Sequence, residues 1–179
     1  MFFQNLEFYE TDNFQYLLIH KNGCTSVLES LKDVNPVYTE NRNLKKICWT
    51  VIRDPYERFV SGLSYDLTRH NVDVKDVSLD KLFHSYSEKT TREKGNFNHT
   101  SSQIPYLINA NVNWYVDISD LSLFLKLHFK KSYNLNNTYD IKSYFKKEDV
   151  LKYLQLDYNI YNRIINSPYL WEWQKGKIF

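Results

Sequence analysis

The side chains that could do chemistry in this chain fall in separate clusters. Lys21-Asn22-Gly23-Cys24-Thr25-Ser26 follows the apolar run Tyr16-Leu17-Leu18-Ile19 and His20, and opens at once into a helix start. Backbone N–H groups at a fresh helix N-terminus have no intrahelical partner and lie at the positive end of the helix dipole, so phosphate-like groups bind there. Lys21 adds a mobile charge to the same turn. The second cluster repeats the plan. Ile47-Cys48-Trp49-Thr50-Val51-Ile52 reads as a strand buried on both faces, and Arg53-Asp54-Pro55-Tyr56-Glu57-Arg58-Phe59-Val60-Ser61 follows it, with Arg53 and Ser61 as candidate anion contacts. Two basic strand-turn-helix units imply two anionic subsites. His99 supplies the remaining chemistry, because imidazoles exchange protons near neutrality and so serve as general bases. Glu29, Glu57 and Asp117 are carboxylate rivals for that role, although Glu29 and Glu57 also read as helix-capping residues.

These residues need elements to position them, and the pattern predicts an α/β unit with a central parallel sheet flanked by helices. A first helix is expected to begin near Thr25 or Ser26, where Ser26 and Glu29 form a capping box and Val27, Leu28 and Leu31 an apolar stripe; it stops before Asn35-Pro36. The second begins with Asp54 as N-cap, Pro55 in the first helical position and Glu57 in the third. At about 100° per residue, Tyr56, Phe59, Val60 and Leu63 share one face, with Arg58 and Ser61 opposite and open to ligand or solvent. Arg58 reads as a surface ion-pairing residue. From Thr68 to Gln103 the chain is polar and irregular apart from a short helix at Leu79 to Ser87 and a loop at Thr90 to Asn96. Trp114 to Ile118 reads as a strand, Ser119 as the cap of a helix through Phe129, and Lys130 to Thr138 as a polar connection. Val150, Leu151, Leu154, Tyr158, Tyr161 and Ile165 recur at helical spacing and read as core, while Trp171-Glu172-Trp173 could pack, cover a ligand or mediate association.

KNGCTS after one strand and RDPYERFVS after another resemble the sulfotransferases that use 3′-phosphoadenosine-5′-phosphosulfate (PAPS), within them the carbohydrate-type branch. The resemblance runs over Tyr16 to Leu67; His99-Thr100-Ser101-Ser102-Gln103 resembles the family's His…Gln segment, and the helix from Val150 to Ile164 its usual end. It implies a P-loop-like sulfotransferase fold, short for the family. It also implies that Lys21, Asn22, Gly23, Cys24, Thr25 and Ser26 hold the 5′-phosphosulfate and that Arg53 and Ser61 hold the 3′-phosphate. The product would be 3′,5′-bisphosphoadenosine (PAP), the acceptor a hydroxyl on a glycan or on a small alcohol or phenol, with His99 as base and Lys21 supporting the leaving group. Sulfuryl transfer of this kind demands neither a metal nor a covalent intermediate, so Cys24 belongs to the loop rather than to a nucleophile. The membrane anchor of Golgi-resident relatives has no counterpart here, which points to a bacterial or phage origin.

Bulk properties agree. The chain has 179 residues, the size of one domain, with 17% aromatic residues and only 4 glycines and 4 prolines, which argues against disorder. A net charge of +2 does not mark a nucleic-acid binder, and Cys24 and Cys48 make no disulfide framework. No stretch has the length and apolarity of a membrane span, and the first residues lack the charged and apolar regions of a signal peptide, so a cytoplasmic protein is expected. Asn98-His99-Thr100 and Asn136-Asn137-Thr138 match the glycosylation pattern, by chance if the chain is not secreted. No metal-ligand cluster stands out in the sequence. Two other classes stay open. A P-loop nucleotide kinase or hydrolase would need GxxxxGK[ST], whereas Gly23 stands alone and Lys21 precedes it; a non-enzymatic nucleotide-binding module would keep the anion loops without turnover.

Overall fold

The computed structural model describes residues 6–88, 98–100, 102–131 and 141–172, with backbone alone for 84–88 and 98. The expected loop at Thr90 to Asn96, nearly all of the Lys130 to Thr138 connection, Ser101 and Trp173 lie outside the described residues. In chain order come strands β1 (Phe8–Glu10) and β2 (Phe14–Leu17), helix α1 (Cys24–Leu31), β3 (Val37–Thr39), β4 (Ile47–Ile52), and α2 (Pro55–His70). They are followed by α3 (Leu79–Glu88), α4 (Ile104–Asn109), β5 (Trp114–Asp117), α5 (Leu121–Phe129) and α6 (Lys147–Ile165).

The fold is α/β, with the strands in one sheet of order β3-β1-β2-β4-β5. The sheet is mixed rather than parallel throughout. β2, β4 and β5 run parallel, while β1 is antiparallel to both of its neighbours. The reason is the connection between β1 and β2, which is too short for a crossover. Thr11 closes it as a tight turn, its N–H donating to the Phe14 carbonyl at 2.9 Å and its hydroxyl oxygen accepting from the Phe14 N–H at 3.2 Å.

Alternate residues of the parallel strands feed opposite layers. Tyr16, Leu18, Trp49, Val51 and Val116 pack under α1 and α5 with Val27, Leu31 and Phe124. Leu17, Ile19, Cys48 and Ile52 face Tyr106, Leu107 and Ile164 of α4 and α6. Both faces of β4 are therefore covered, as its unbroken apolar sequence requires. Trp171 fills the first layer: it is fully buried, its ring centroid lies 5.1 Å from that of Phe124, and its backbone N–H donates to the Tyr115 carbonyl at 2.7 Å. No described helix is long and apolar enough to cross a membrane.

α2 begins where its local signals put it. The Asp54 carboxylate accepts from the Tyr56 and Glu57 amides at 2.9 and 3.1 Å, and Pro55 occupies the first turn. Its burial departs from a two-faced helix. Tyr56, Phe59, Val60 and Leu63 join a third apolar cluster with Leu82, Val150 and Leu154, yet Arg58, Gly62, Ser64 and Asp66 are buried as well. The turn Asn98–Thr100 packs against α2, as α6 does, so Arg58 is an enclosed residue and not a surface one.

The other helix starts differ from expectation in the same physical way, through the backbone. α1 starts at Cys24 with Gly23 as N-cap in the left-handed region, so Ser26 already lies inside the first turn and forms no capping box. Glu29 instead pairs with Lys32 at 2.6 Å. The chain then tightens through Lys32–Val34 and stops at Asn35, as expected. α5 is preceded by Asp120, and Ser119 is taken up by Asp117, whose Oδ1 accepts from the Ser119 hydroxyl at 2.6 Å. α6 begins a turn earlier than its apolar spacing suggested, and Val150 and Leu154 are buried in it.

Candidate functional site

The carboxyl ends of β2 and β4 lie side by side because those strands pair in parallel, Leu17 opposite Thr50. The turn after β2 takes Lys21 to φ 66° and Gly23 to φ 76°. The left-handed backbone at Gly23 disfavours a side chain, and a Cβ there would also push the Leu121 Cδ2 methyl, 2.4 Å away, aside. The first hydrogen bond of α1 runs from the Val27 N–H to the Gly23 carbonyl at 3.1 Å, which leaves the Cys24, Thr25 and Ser26 amides ahead of the helical ladder. Thr25 is exposed, and Cys24 and Ser26 are half-buried.

Two arginines from the β4 side clamp this turn. Arg53 Nη1 donates to the Lys21 carbonyl at 3.1 Å, and Arg58 Nε donates to the His20 carbonyl at 3.2 Å. Binding the carbonyls on one side fixes the orientation of the peptide units that follow. Burial pushes the Lys21 ammonium and the Arg53 guanidinium below their ordinary values, and Arg53 and Arg58 add a smaller repulsion at Lys21. Partly desolvated cations held together in this way are stabilised by an incoming anion.

Asn22 plays a different part from its neighbours. It is fully buried, and its side-chain Nδ2 donates to the Val51 carbonyl at 2.8 Å and to Gln103 Oε1 at 2.9 Å. Gln103 Nε2 in turn donates to the Arg53 carbonyl at 3.1 Å. One buried amide pair therefore laces the β2 turn to the β4 turn. Gln103 is held by Asp157 of α6, whose Oδ1 accepts from the Gln103 N–H at 3.1 Å and from the Ser102 hydroxyl at 2.9 Å; burial raises the Asp157 carboxyl.

His99 comes to the same place over α2. Its Nδ1 lies 2.5 Å from Asp66 Oδ1, and its backbone N–H donates to Asp66 Oδ2 at 3.0 Å. The ring packs edge-on against Tyr65 at 4.6 Å and against His20 at 5.5 Å between centroids. Lys21 Nζ stands 3.4 Å over the Tyr65 ring, so a single aromatic ring separates the lysine from the imidazole. The carboxylate rivals are engaged elsewhere: Glu29 with Lys32, Glu57 with Lys142 at 2.6 Å, and Asp117 with the Tyr161 hydroxyl at 2.7 Å.

Lys21, Gly23, the first amides of α1, Arg53 and His99 are thus brought together. Ser61 is half-buried on α2, and no described contact ties it to Arg53 or to the β2 turn. The residues that only the structure singles out are Gly62, Tyr65 and Asp66, whereas Gln103 is already marked by the His…Gln segment. Their part depends on a contact between residues far apart in sequence, and a local pattern carries no trace of it. Among the described residues, no group of three or more His, Cys, Asp or Glu is placed to hold a metal ion. No family model matches the chain, and neither does any characterised protein or solved structure.

Proposed function

We propose that the protein is a sulfotransferase, moving a sulfuryl group from PAPS to an acceptor hydroxyl on a glycan or on a small alcohol or phenol. The observation that carries this reading is the Arg53–Lys21 hydrogen bond. It joins two basic turns at the carboxyl ends of neighbouring parallel strands, with His99 one ring away, and each turn could take one anionic group. The residues fit a donor with phosphates at two positions. Lys21, Gly23 and the Cys24, Thr25 and Ser26 amides suit the 5′-phosphosulfate, with the first βα turn acting as a P-loop-like cradle. Arg53 suits the 3′-phosphate, and Ser61 joins it on the strength of the motif resemblance alone. The Asn22 side-chain NH2, which donates to Val51 and Gln103, stiffens the cradle from behind.

In the reaction the acceptor oxygen attacks sulfur in line, the bond from sulfur to the bridging phosphate oxygen breaks, and PAP leaves. His99 takes the hydroxyl proton as the new S–O bond forms. Lys21 neutralises the charge that grows on the bridging oxygen, and the helix amides do so with no reorganisation at that moment. Nothing in this sequence of steps requires a metal.

The test is transfer from sulfur-labelled PAPS to a panel of alcohols, phenols and oligosaccharides, with and without magnesium. The reading expects labelled product without magnesium, and a Lys21→Ala rate under saturating donor that falls by more than donor affinity does. Tight binding of PAP with no turnover on any acceptor would make the protein a nucleotide-binding module instead.

A further inference from the structure

We propose that Asp66 is the positioning residue for His99, holding its imidazole as the Nδ1–H tautomer so that Nε2 is the nitrogen presented to the acceptor. The inference rests on the sulfotransferase reading for the meaning of that nitrogen, but its geometry stands independently of it. Asp66 is 1% exposed and uses both carboxylate oxygens on one residue: Oδ2 accepts from the His99 backbone N–H at 3.0 Å, and Oδ1 faces Nδ1 at 2.5 Å. Nδ1 lies on the backbone side of an imidazole ring, so a carboxylate that captures the backbone N–H meets that nitrogen and not the other. A carboxylate only accepts. The proton must then sit on Nδ1, and the lone pair on Nε2.

Two neighbours make the arrangement specific. Gly62 lies one turn before Asp66 on the same side of α2, and a Cβ there would stand 2.1 Å from the His99 carbonyl oxygen. Only a glycine lets the Asn98–Thr100 turn descend far enough for both bonds to Asp66 to form. Tyr65 and His20 then wall the imidazole at 4.6 and 5.5 Å between ring centroids, and Lys21 lies across the Tyr65 ring. When Nε2 takes the acceptor proton, the imidazolium that results faces the buried Asp66 carboxylate, which stabilises it where charge develops.

The experiment uses the full chain with ¹⁵N-labelled histidine, with the His99 signals assigned by their loss in His99→Gln. The neutral His99 ring is expected with its proton on Nδ1 and pyridine-type nitrogen at Nε2, the reverse of the tautomer that a free histidine side chain favours in water. In Asp66→Asn a single amide oxygen must serve two donors, and its NH2 faces whichever is left, so the tautomer should shift towards Nε2–H. Under the same change kcat for sulfuryl transfer should fall by about 10²- to 10⁴-fold while PAP affinity and acceptor KM stay within about twofold, as for loss of a group that orients a base. A wild-type His99 protonated on Nε2 would overturn the proposal even if Asp66→Asn does not fold. An Asp66→Asn protein with unchanged kcat would overturn it too, and leave the sulfotransferase reading standing. Should the wild type transfer no sulfuryl group to any acceptor, the functional reading fails, and the tautomer alone decides whether Asp66 positions His99.

Discussion

A methyl group on Gly62 would stand 2.1 Å from the carbonyl oxygen of His99 and 2.5 Å from its carbonyl carbon. The contact is with backbone, which cannot swing aside as the end of a flexible side chain can. α2 and the Asn98–Thr100 turn are therefore fitted to each other at this point, and the fit sets the height of His99 above Asp66. Gly62→Ala should destabilise the fold by about 1–3 kcal/mol, the usual effect of overpacking, although alanine is the better helix former. Urea unfolding midpoints measure the loss. A midpoint equal to or above that of the wild type would mean that the turn does not rest on the helix there.

Asn22 offers a second test, because its role is set by a donor with two acceptors. Asn22→Ala leaves the Val51 carbonyl and Gln103 Oε1 without their partner, at a cost of about 1–3 kcal/mol for a buried group left unsatisfied. Asn22→Asp is nearly the same shape but places a carboxylate against two oxygens, and should cost about 3–5 kcal/mol as an uncompensated buried charge. Aspartate should therefore be the worse replacement. Equal stabilities for the two variants would show that the side chain does not bridge the β2 and β4 turns.

The Asp157 carboxyl is raised by burial, and its stability contribution has a definite sign. A raised carboxyl binds its proton more tightly in the folded chain than in the unfolded one. Between the ordinary aspartate value of about 3.9 and the raised one the folded state holds more protons, so this group's contribution falls as pH rises through that window. Wild type should thus gain stability relative to Asp157→Asn as pH is lowered through the raised value, since the asparagine oxygen can still accept from Ser102 and Gln103. Chemical denaturation of both proteins from pH 7 to pH 4 measures the difference, and parallel curves would contradict it.

How much of this was readable in the sequence follows from how far each signal reaches. Asp54, Pro55 and Glu57 mark the start of α2 through contacts within one turn, and α2 starts there. The apolar run Ile47–Ile52 marks a strand covered on both faces, as β4 is. Ser26 and Glu29 have the same local form as a cap, but the left-handed Gly23 starts α1 earlier and takes the cap position, which a pattern of side-chain types does not encode. The antiparallel β1 escaped because a strand of three residues carries no periodicity. A helical wheel sees one helix, so Arg58 reads as exposed, whereas it is enclosed between the His20 carbonyl, which it meets at 3.2 Å, and the α6 side that carries Asp157. Asp66 and Gly62 acquire their meaning only when His99, 33 residues beyond Asp66, is folded onto them.

The central claim is that the turns at Lys21 and Arg53 form two anion subsites for one nucleotide, and calorimetry with PAP and AMP tests it most directly. The two ligands share adenosine and the 5′-phosphate, so any difference reports the 3′-phosphate. With Arg53 serving that phosphate, a charged hydrogen bond worth about 1.5–3 kcal/mol should make PAP bind roughly 10- to 150-fold more tightly than AMP, without magnesium. Equal affinities, or tighter binding of ATP with magnesium than of PAP, would contradict the account.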